Sequence, residues 1–139
     1  KTKQMGEQIL IDFAKAYQSK ISLLRYFNPI GHMDIELKEN PNGIPNNLFP
    51  YLLKVHNKEL EYLTIFGNDY PNTRDGTCSR DFIHVVDLAN AHLVCCEKII
   101  LNKISGLKIY NVGTGKDITV LELIKAFENV NNIKMDYKF

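Results

Sequence analysis

Cysteine is scarce in this 139-residue chain. Its three cysteines, Cys78, Cys95 and Cys96, have spacings that build neither a disulfide framework nor a zinc knuckle, so a stapled secreted fold is excluded and a reducing compartment fits. Cys95 and Cys96 are neighbours in a helical pattern, where adjacent side chains point about 100° apart. They are expected to be buried or half-buried packing residues. Long apolar runs are missing too: Val85 to Leu101, the longest candidate, carries Asp87, His92, Glu97 and Lys98, and nothing approaches the roughly 18 residues of a membrane span. Neither charge is in excess. Lys plus Arg total 17 against 16 Asp plus Glu, a net charge of +1, which removes phosphate-backbone binding and a nucleic-acid partner as the default. No Gly-x-Ser-x-Gly elbow marks a serine hydrolase. The four histidines, His32, His56, His84 and His92, lie on different elements without metal-ligand spacing, so no metal site is expected. There is no internal repeat, low-complexity tract, signal stretch or Arg-rich presequence. The chain opens Lys1-Thr2-Lys3 without an initiator Met and ends on what reads as the start of a strand, so it is expected to be an internal piece of a larger polypeptide.

What is present is 45% hydrophobic residues, enough for one modest core, in an alternation of helix and strand patterns. Met5, Ile9, Leu10, Phe13, Ala14 and Tyr17 recur at helical spacing over Lys3 to Tyr17, predicting an amphipathic helix. Ile21 to Phe27 reads as a buried strand stopped by Asn28-Pro29. Gly31 to Pro45 has no period and is expected to be a long loop, of the kind that usually carries function. A helix follows from Leu48 to Val55, with Asn46 or Asn47 as its N-cap and Pro50 tolerated only in its first turn. Tyr62 to Phe66 predicts a strand, Gly67 to Arg80 a second long loop, and Phe82, Ile83, Val85 and Val86 an apolar strand on which His84 is expected to be a hydrogen-bonded core histidine. From Asp87, taken as an N-cap, the pattern is helical to Ile100. Leu107 to Val112 is a strand, Thr119-x-x-Glu122 is a capping box opening a last helix, and Met135 to Phe139 begins another strand. Strand and helix in alternation predict the α/β class.

Ligands of α/β sheets bind beyond the carboxyl ends of strands, which draws attention to Arg25-Tyr26-Phe27-Asn28-Pro29, Gly43-Ile44-Pro45-Asn46-Asn47-Leu48 and the stretch from Phe66 to Arg80. Each has two readings. Asn28 before Pro29 is either a turn residue capping its own backbone or a site residue. Asn46 and Asn47 are either helix caps or, with the exposed N–H groups of a helix start, a seat for a diphosphate. Arg80 is either a surface arginine or a phosphate contact. Gly113-Thr114-Gly115 could be a phosphate loop, although glycines at such turns ordinarily serve backbone geometry.

Five blocks taken in order settle these alternatives by resemblance. Leu24-Arg25-Tyr26-Phe27-Asn28-Pro29, Gly43-Ile44-Pro45-Asn46-Asn47-Leu48-Phe49-Pro50-Tyr51, Ile65-Phe66-Gly67-Asn68-Asp69-Tyr70-Pro71, Arg80-Asp81-Phe82-Ile83-His84-Val85-Val86-Asp87-Leu88-Ala89 and Ile109-Tyr110-Asn111-Val112-Gly113-Thr114-Gly115 closely resemble the UDP-glucose 4-epimerase family of extended short-chain dehydrogenase/reductases. The resemblance implies part of an NAD-binding, Rossmann-like α/β fold. The tail of its dinucleotide domain (about 1–30 and 81–104) would be interleaved with a UDP-sugar region (about 31–80 and 105–139). It implies NAD as cofactor, UDP-galactose and UDP-glucose as substrates, a homodimer and a cytoplasmic location. Lys3 matches the lysine of the family's Tyr-x-x-x-Lys signature, whose tyrosine would fall ahead of residue 1, so this stretch alone is expected to be inactive. Tyr26 would line the nicotinamide, and Tyr26, Phe27 and Asn28 the substrate. Asn46, Asn47 and Leu48 would hold the diphosphate, Thr64, Ile65 and Phe66 would border the uridine, and Arg80 would pair with phosphate oxygens. The chain departs from the family at Gly31-His32-Met33, at Phe82 in place of a frequent tyrosine, and over Pro71 to Asp75, which is one residue longer. Other readings are a related 4,6-dehydratase, UDP-glucuronate decarboxylase or N-acetylhexosamine epimerase, or a non-catalytic piece.

Overall fold

The computed structural model describes residues 1–34 and 47–139; Asn46 and most of the loop expected over Gly31 to Pro45 lie outside the described residues. Helices and strands alternate, as the α/β reading requires, and the chain divides into two compact units, residues 1–33 with 83–114 and residues 34–82 with 115–139.

In the first unit the β-rich run Ile21-Ser22-Leu23-Leu24-Arg25-Tyr26 forms β1, which pairs in parallel with β5 (Leu107–Val112), from Ile21 opposite Leu107 to Tyr26 opposite Val112. The β5 side of that ladder lies within residues 83–114 of this unit. The extended backbone does not stop at Asn28-Pro29: a three-residue strand, β2 (Asn28–Ile30), continues it. Helix α1 (Thr2–Tyr17) ends where Gln18 turns left-handed (φ 51) and donates its N–H to the Ala14 carbonyl. The helix carries the predicted apolar stripe, but the described residues of this chain do not cover it. Met5, Ile9, Phe13 and Tyr17 are 63, 66, 48 and 71% exposed, and the small Ala14 is the buried residue of the helix.

Helix α3 (Val85–Ile100) begins two residues ahead of its predicted Asp87 cap. His84 is the cap: its backbone is extended and its Nδ1 accepts from the Val86 N–H at 3.3 Å. The imidazole does at the helix entrance what a Ser or Asp side chain usually does, and this leaves His84 exposed, which corrects its reading as a core histidine. Asp87 falls in the first turn, where a carboxylate suits the helix dipole. Gly31 (φ +84) lies so close to this ring that a Cβ there would meet His84 Nε2 at 2.4 Å. All three thiols are free; Cys95 is half-buried as expected, but Cys96 is exposed.

The second unit has its own apolar cluster of Leu52, Val55, Leu63, Ile65, Leu123, Ile124 and Met135. Leu52 and Ile124 are essentially sealed, and burial of such side chains stabilises by about 1.5–3 kcal/mol each. Helix α2 (Leu48–His56) carries Pro50 in its first turn, as predicted. β3 (Leu63–Thr64), shorter than the strand expected over Tyr62 to Phe66, pairs in parallel with β7 (Tyr137–Lys138). β4 (Ser79–His84) pairs antiparallel with β6 (Asp117–Thr119), a strand the sequence did not announce, with Arg80 opposite Ile118. Helix α4 (Val120–Asn131) opens on the predicted capping box: Thr119 Oγ1 accepts from the Glu122 N–H, and Glu122 accepts from the Thr119 N–H.

Candidate nucleotide-sugar site

In the first unit the candidate residues gather at the carboxyl end of β1, where a parallel sheet presents its ligand-binding edge. Tyr26 closes β1, Phe27 follows with its N–H bonded to the Val112 carbonyl (3.0 Å), and Asn28 opens β2. Tyr26 and Phe27 keep 48 and 47% of their surface exposed. Lys3 stands in the first turn of α1, and that turn is tied to β1 one helical turn further on. Arg25 grips the Glu7 carboxylate through Nε (2.8 Å) and Nη2 (2.6 Å), a bidentate contact that holds the Glu7 carboxyl below its usual range and raises the arginine. Glu7 lies four residues from Lys3, on the same helix face, but its carboxylate is committed to Arg25. Among the described residues Lys3 makes no ion pair or hydrogen bond. Lys3 thus presents an exposed, uncommitted ammonium, and Tyr26 an exposed ring at the end of a parallel strand.

The second unit holds Asn47, Leu48, Thr64, Ile65, Phe66 and Arg80. Asn47 occupies the N-cap position of α2 in extended conformation (φ −105, ψ 146), but its side chain makes no cap hydrogen bond. Leu48 packs on the apolar cluster. Thr64 and Phe66 are exposed, Phe66 to 83%, while Ile65 between them is buried and donates its N–H to the Lys138 carbonyl at 2.8 Å. Ile65 therefore anchors a segment whose outward contacts fall to its two neighbours. Arg80 folds back on its own strand, with Nη1 2.7 Å from the Ser79 carbonyl and 2.6 Å from Cys78 Sγ; its Nε and Nη2 make no hydrogen bond among the described residues. No hydrogen bond joins Asn47, Thr64 and Arg80 to one another among the described residues. A surface depression of this unit, lined by Leu121, Lys125, Glu128, Lys134 and Tyr137, contains none of the candidate residues.

Sequence reasoning missed the lock that holds the loop between Phe66 and Arg80. Arg74, in the lengthened stretch Pro71 to Asp75, donates to Glu122 from Nε and Nη2 (2.7 Å each), to the Asp117 carboxylate from Nη1 (3.2 Å) and to the Asp117 carbonyl from Nη2 (2.9 Å). Beside it, Asp75 accepts from the Thr77 hydroxyl (2.7 Å), the Thr77 N–H (2.9 Å) and the Thr119 hydroxyl, and both threonines are fully buried. The only sequence signal was the capping box, because Thr119 and Glu122 are both cap partners and lock partners. The hydrogen bonds from Arg74, foremost, hold the Glu122 carboxyl down at about 2, from an ordinary 4.5. Burial by itself would raise Asp75, but the hydrogen bonds from Thr119 and Thr77 outweigh it and hold it low.

A depressed carboxyl stabilises the fold above its unfolded value and loses that contribution as pH falls through the folded one. The melting temperature is therefore expected to fall between pH 4.5 and 2 more steeply in the native chain than in an Arg74→Ala variant, in which Glu122 titrates closer to its ordinary value. Parallel curves for the two proteins would remove Arg74 as the cause.

The chain belongs to the NAD dependent epimerase/dehydratase family, whose pattern it matches over residues 1–113. It is 52% identical over 140 residues to a UDP-glucose 4-epimerase of Bacillus subtilis (strain 168) and 52% identical over 139 residues to one of Pasteurella multocida (strain Pm70). Both alignments cover 99% of this chain and 40% of the relative, so the chain spans about two-fifths of the length of the curated relatives it matches. The fold agrees. A UDP-glucose-4-epimerase from Stenotrophomonas maltophila, solved with bound NAD and formylated UDP-arabinopyranose, superposes with a TM-score of 0.91 at 40% identity, covering 99% of this chain and 40% of that one. One from Bifidobacterium longum, in complex with NAD+ and UDP, gives 0.86 at 45% identity over 97% of this chain and 40% of that one.

Proposed function

We propose that the protein to which this chain contributes is a UDP-glucose 4-epimerase that interconverts UDP-galactose and UDP-glucose in galactose metabolism. The observation that carries this reading is 52% identity to UDP-glucose 4-epimerases across 99% of the chain. The chemistry that bound NAD supplies is reversible uptake of the hydride at sugar C4, which gives a 4-keto sugar that accepts the hydride back on its other face. The chain's own residues divide the remaining work. The Lys3 ammonium favours the phenolate of the signature tyrosine, which takes the proton of the 4-hydroxyl. Tyr26 lines the nicotinamide side, and Tyr26, Phe27 and Asn28 border the hexose. The start of α2 at Asn47 and Leu48 seats the diphosphate on backbone N–H groups, and the uncommitted donors of Arg80 pair with its oxygens. Phe66 offers its exposed ring to the uracil beside Thr64, with Ile65 as the anchor. Turning the keto sugar over demands a firm grip on nucleotide and diphosphate and a loose one on the hexose, and this set of contacts has that asymmetry.

The exposed stripe of α1, Met5, Ile9, Phe13 and Tyr17, supports assembly as a homodimer through the helix that carries Lys3. The free thiols agree with a cytoplasmic location, and among the described residues no helix is long and apolar enough to cross a membrane. The test is a turnover panel on the full-length protein: UDP-galactose, UDP-N-acetylgalactosamine, UDP-glucuronate and UDP-xylose, with sedimentation run in parallel. Conversion of UDP-galactose to UDP-glucose by a dimer is expected. Turnover confined to another nucleotide sugar would replace this reading.

A further inference from the structure

We propose that His92 is the positioning residue of Tyr26 and that it fixes the tyrosine hydroxyl as a hydrogen-bond acceptor toward the ligand. His92 lies on α3, half-buried, with Nδ1 2.8 Å from the Leu88 carbonyl one turn earlier and Nε2 2.6 Å from the Tyr26 hydroxyl. The two rings meet edge to face, centroids 5.4 Å apart and planes at 64°. A carbonyl can only accept, so Nδ1 carries the proton. In the neutral ring Nε2 then holds the lone pair, and the 2.6 Å contact is Tyr26 O–H donating into it. The proton of Tyr26 is thereby spent inside the protein. What the hydroxyl oxygen keeps for a ligand is lone pairs, and these suit an N–H or O–H donor and turn away a carbonyl or phosphate oxygen.

This polarity is useful at the carboxyl end of β1. It rests on the reading of Tyr26 as a cofactor-side residue, and there the matching donor is the primary carboxamide of a nicotinamide. An amide NH2 facing a fixed acceptor can sit in only one of its two flipped orientations, so the ring would be held with one face toward the sugar. His92 reaches neither cofactor nor substrate in this scheme. It acts through Tyr26, by holding the tilt of the ring and the direction of the O–H.

Two measurements on the full-length protein test this. With 15N-labelled histidine, the His92 ring is expected to show the Nδ1–H tautomer; an Nε2–H tautomer would overturn the proposal whatever the enzyme does. The second is NAD affinity in two amide variants. In His92→Gln the amide oxygen reaches the place of Nε2 and can accept from Tyr26. In His92→Asn the shorter side chain reaches only the place of Nδ1. The Asn variant is expected to bind NAD about tenfold more weakly, and the Gln variant to recover to within about threefold of the native protein. Equal weakening in both variants, or none in either, would refute the acceptor role. A native protein that shows the predicted tautomer but binds no NAD would overturn the functional reading, and with it the carboxamide assignment, while leaving the tyrosine–histidine pair intact.

Discussion

Replacing Lys3 by methionine is expected to lower epimerase turnover in the full-length protein by about 10²–10⁴-fold, the range that a positioned acid–base group contributes. Methionine keeps the length of the side chain and removes the charge. Lys3 is exposed and carries no ion pair or hydrogen bond among the described residues, so folding has no stake in it and the loss should fall on chemistry. The ammonium acts on a neighbouring phenol by favouring its anion, and without it the phenol holds its proton at neutral pH. Turnover of Lys3→Met should therefore recover in part as the assay is made more alkaline, with KM for the UDP-sugar little changed. Stopped-flow or steady-state rates across pH check both points. A variant with native turnover at neutral pH would remove Lys3 from the mechanism.

The largest effect on stability is expected at Gly76. Its φ is +77, and a Cβ built there would lie 2.2 Å from the backbone oxygen of Asn68. A left-handed alanine costs about 1–2 kcal/mol by itself. The obstacle, moreover, is main chain, which no rotamer change can move aside. The Asn68 backbone must shift, and the closing bond from the Tyr70 N–H to the Gly76 carbonyl (2.9 Å) must go with it. Gly76→Ala should lower the melting temperature by about 5 °C or more. It should also raise KM for the UDP-sugar, because the loop joins Phe66 to Arg80. If stability falls and KM stays native, the loop does not position those two residues. If neither moves, the backbone contact itself is dispensable.

Element types were legible wherever the hydrophobic period or a cap spoke for them. The capping box at Thr119 and Glu122 and the strand Leu107 to Val112 stand as read. Elsewhere the sequence said less than the structure shows, for reasons that differ from case to case. His84 does close a strand, as its apolar neighbours announced, but its ring is exposed and bonds the Val86 N–H as the cap of the next helix, which therefore starts early. β6 is three residues of mixed character, Asp117-Ile118-Thr119, and exists because β4 lies alongside it, a long-range cause that no local pattern carries. The stripe of α1 has a clear period, but periodicity reports an apolar face without naming what covers it. The site blocks were readable as wording, at Tyr26-Phe27-Asn28 and Asn47-Leu48. The chemistry between side chains was not: the Arg74 lock and the Tyr26–His92 bond join residues 48 and 66 positions apart.

Interleaving has a consequence for how the chain can be taken apart and made. The first unit is assembled from residues 1–33 and 83–114 and the second from residues 34–82 and 115–139, so neither is a single continuous stretch. The Lys20 side chain, just ahead of β1, bonds Asn102, 82 positions further on. During synthesis β1 cannot pair with β5 until the chain has emerged as far as Val112. Pairings over such separations are slow and leave apolar strand edges open meanwhile. A break between Phe82 and Ile83 separates the two stretches of both units at once, so separately made pieces 1–82 and 83–139 should each be unfolded, and nascent chains ending before Leu107 leave β1 without its β5 partner.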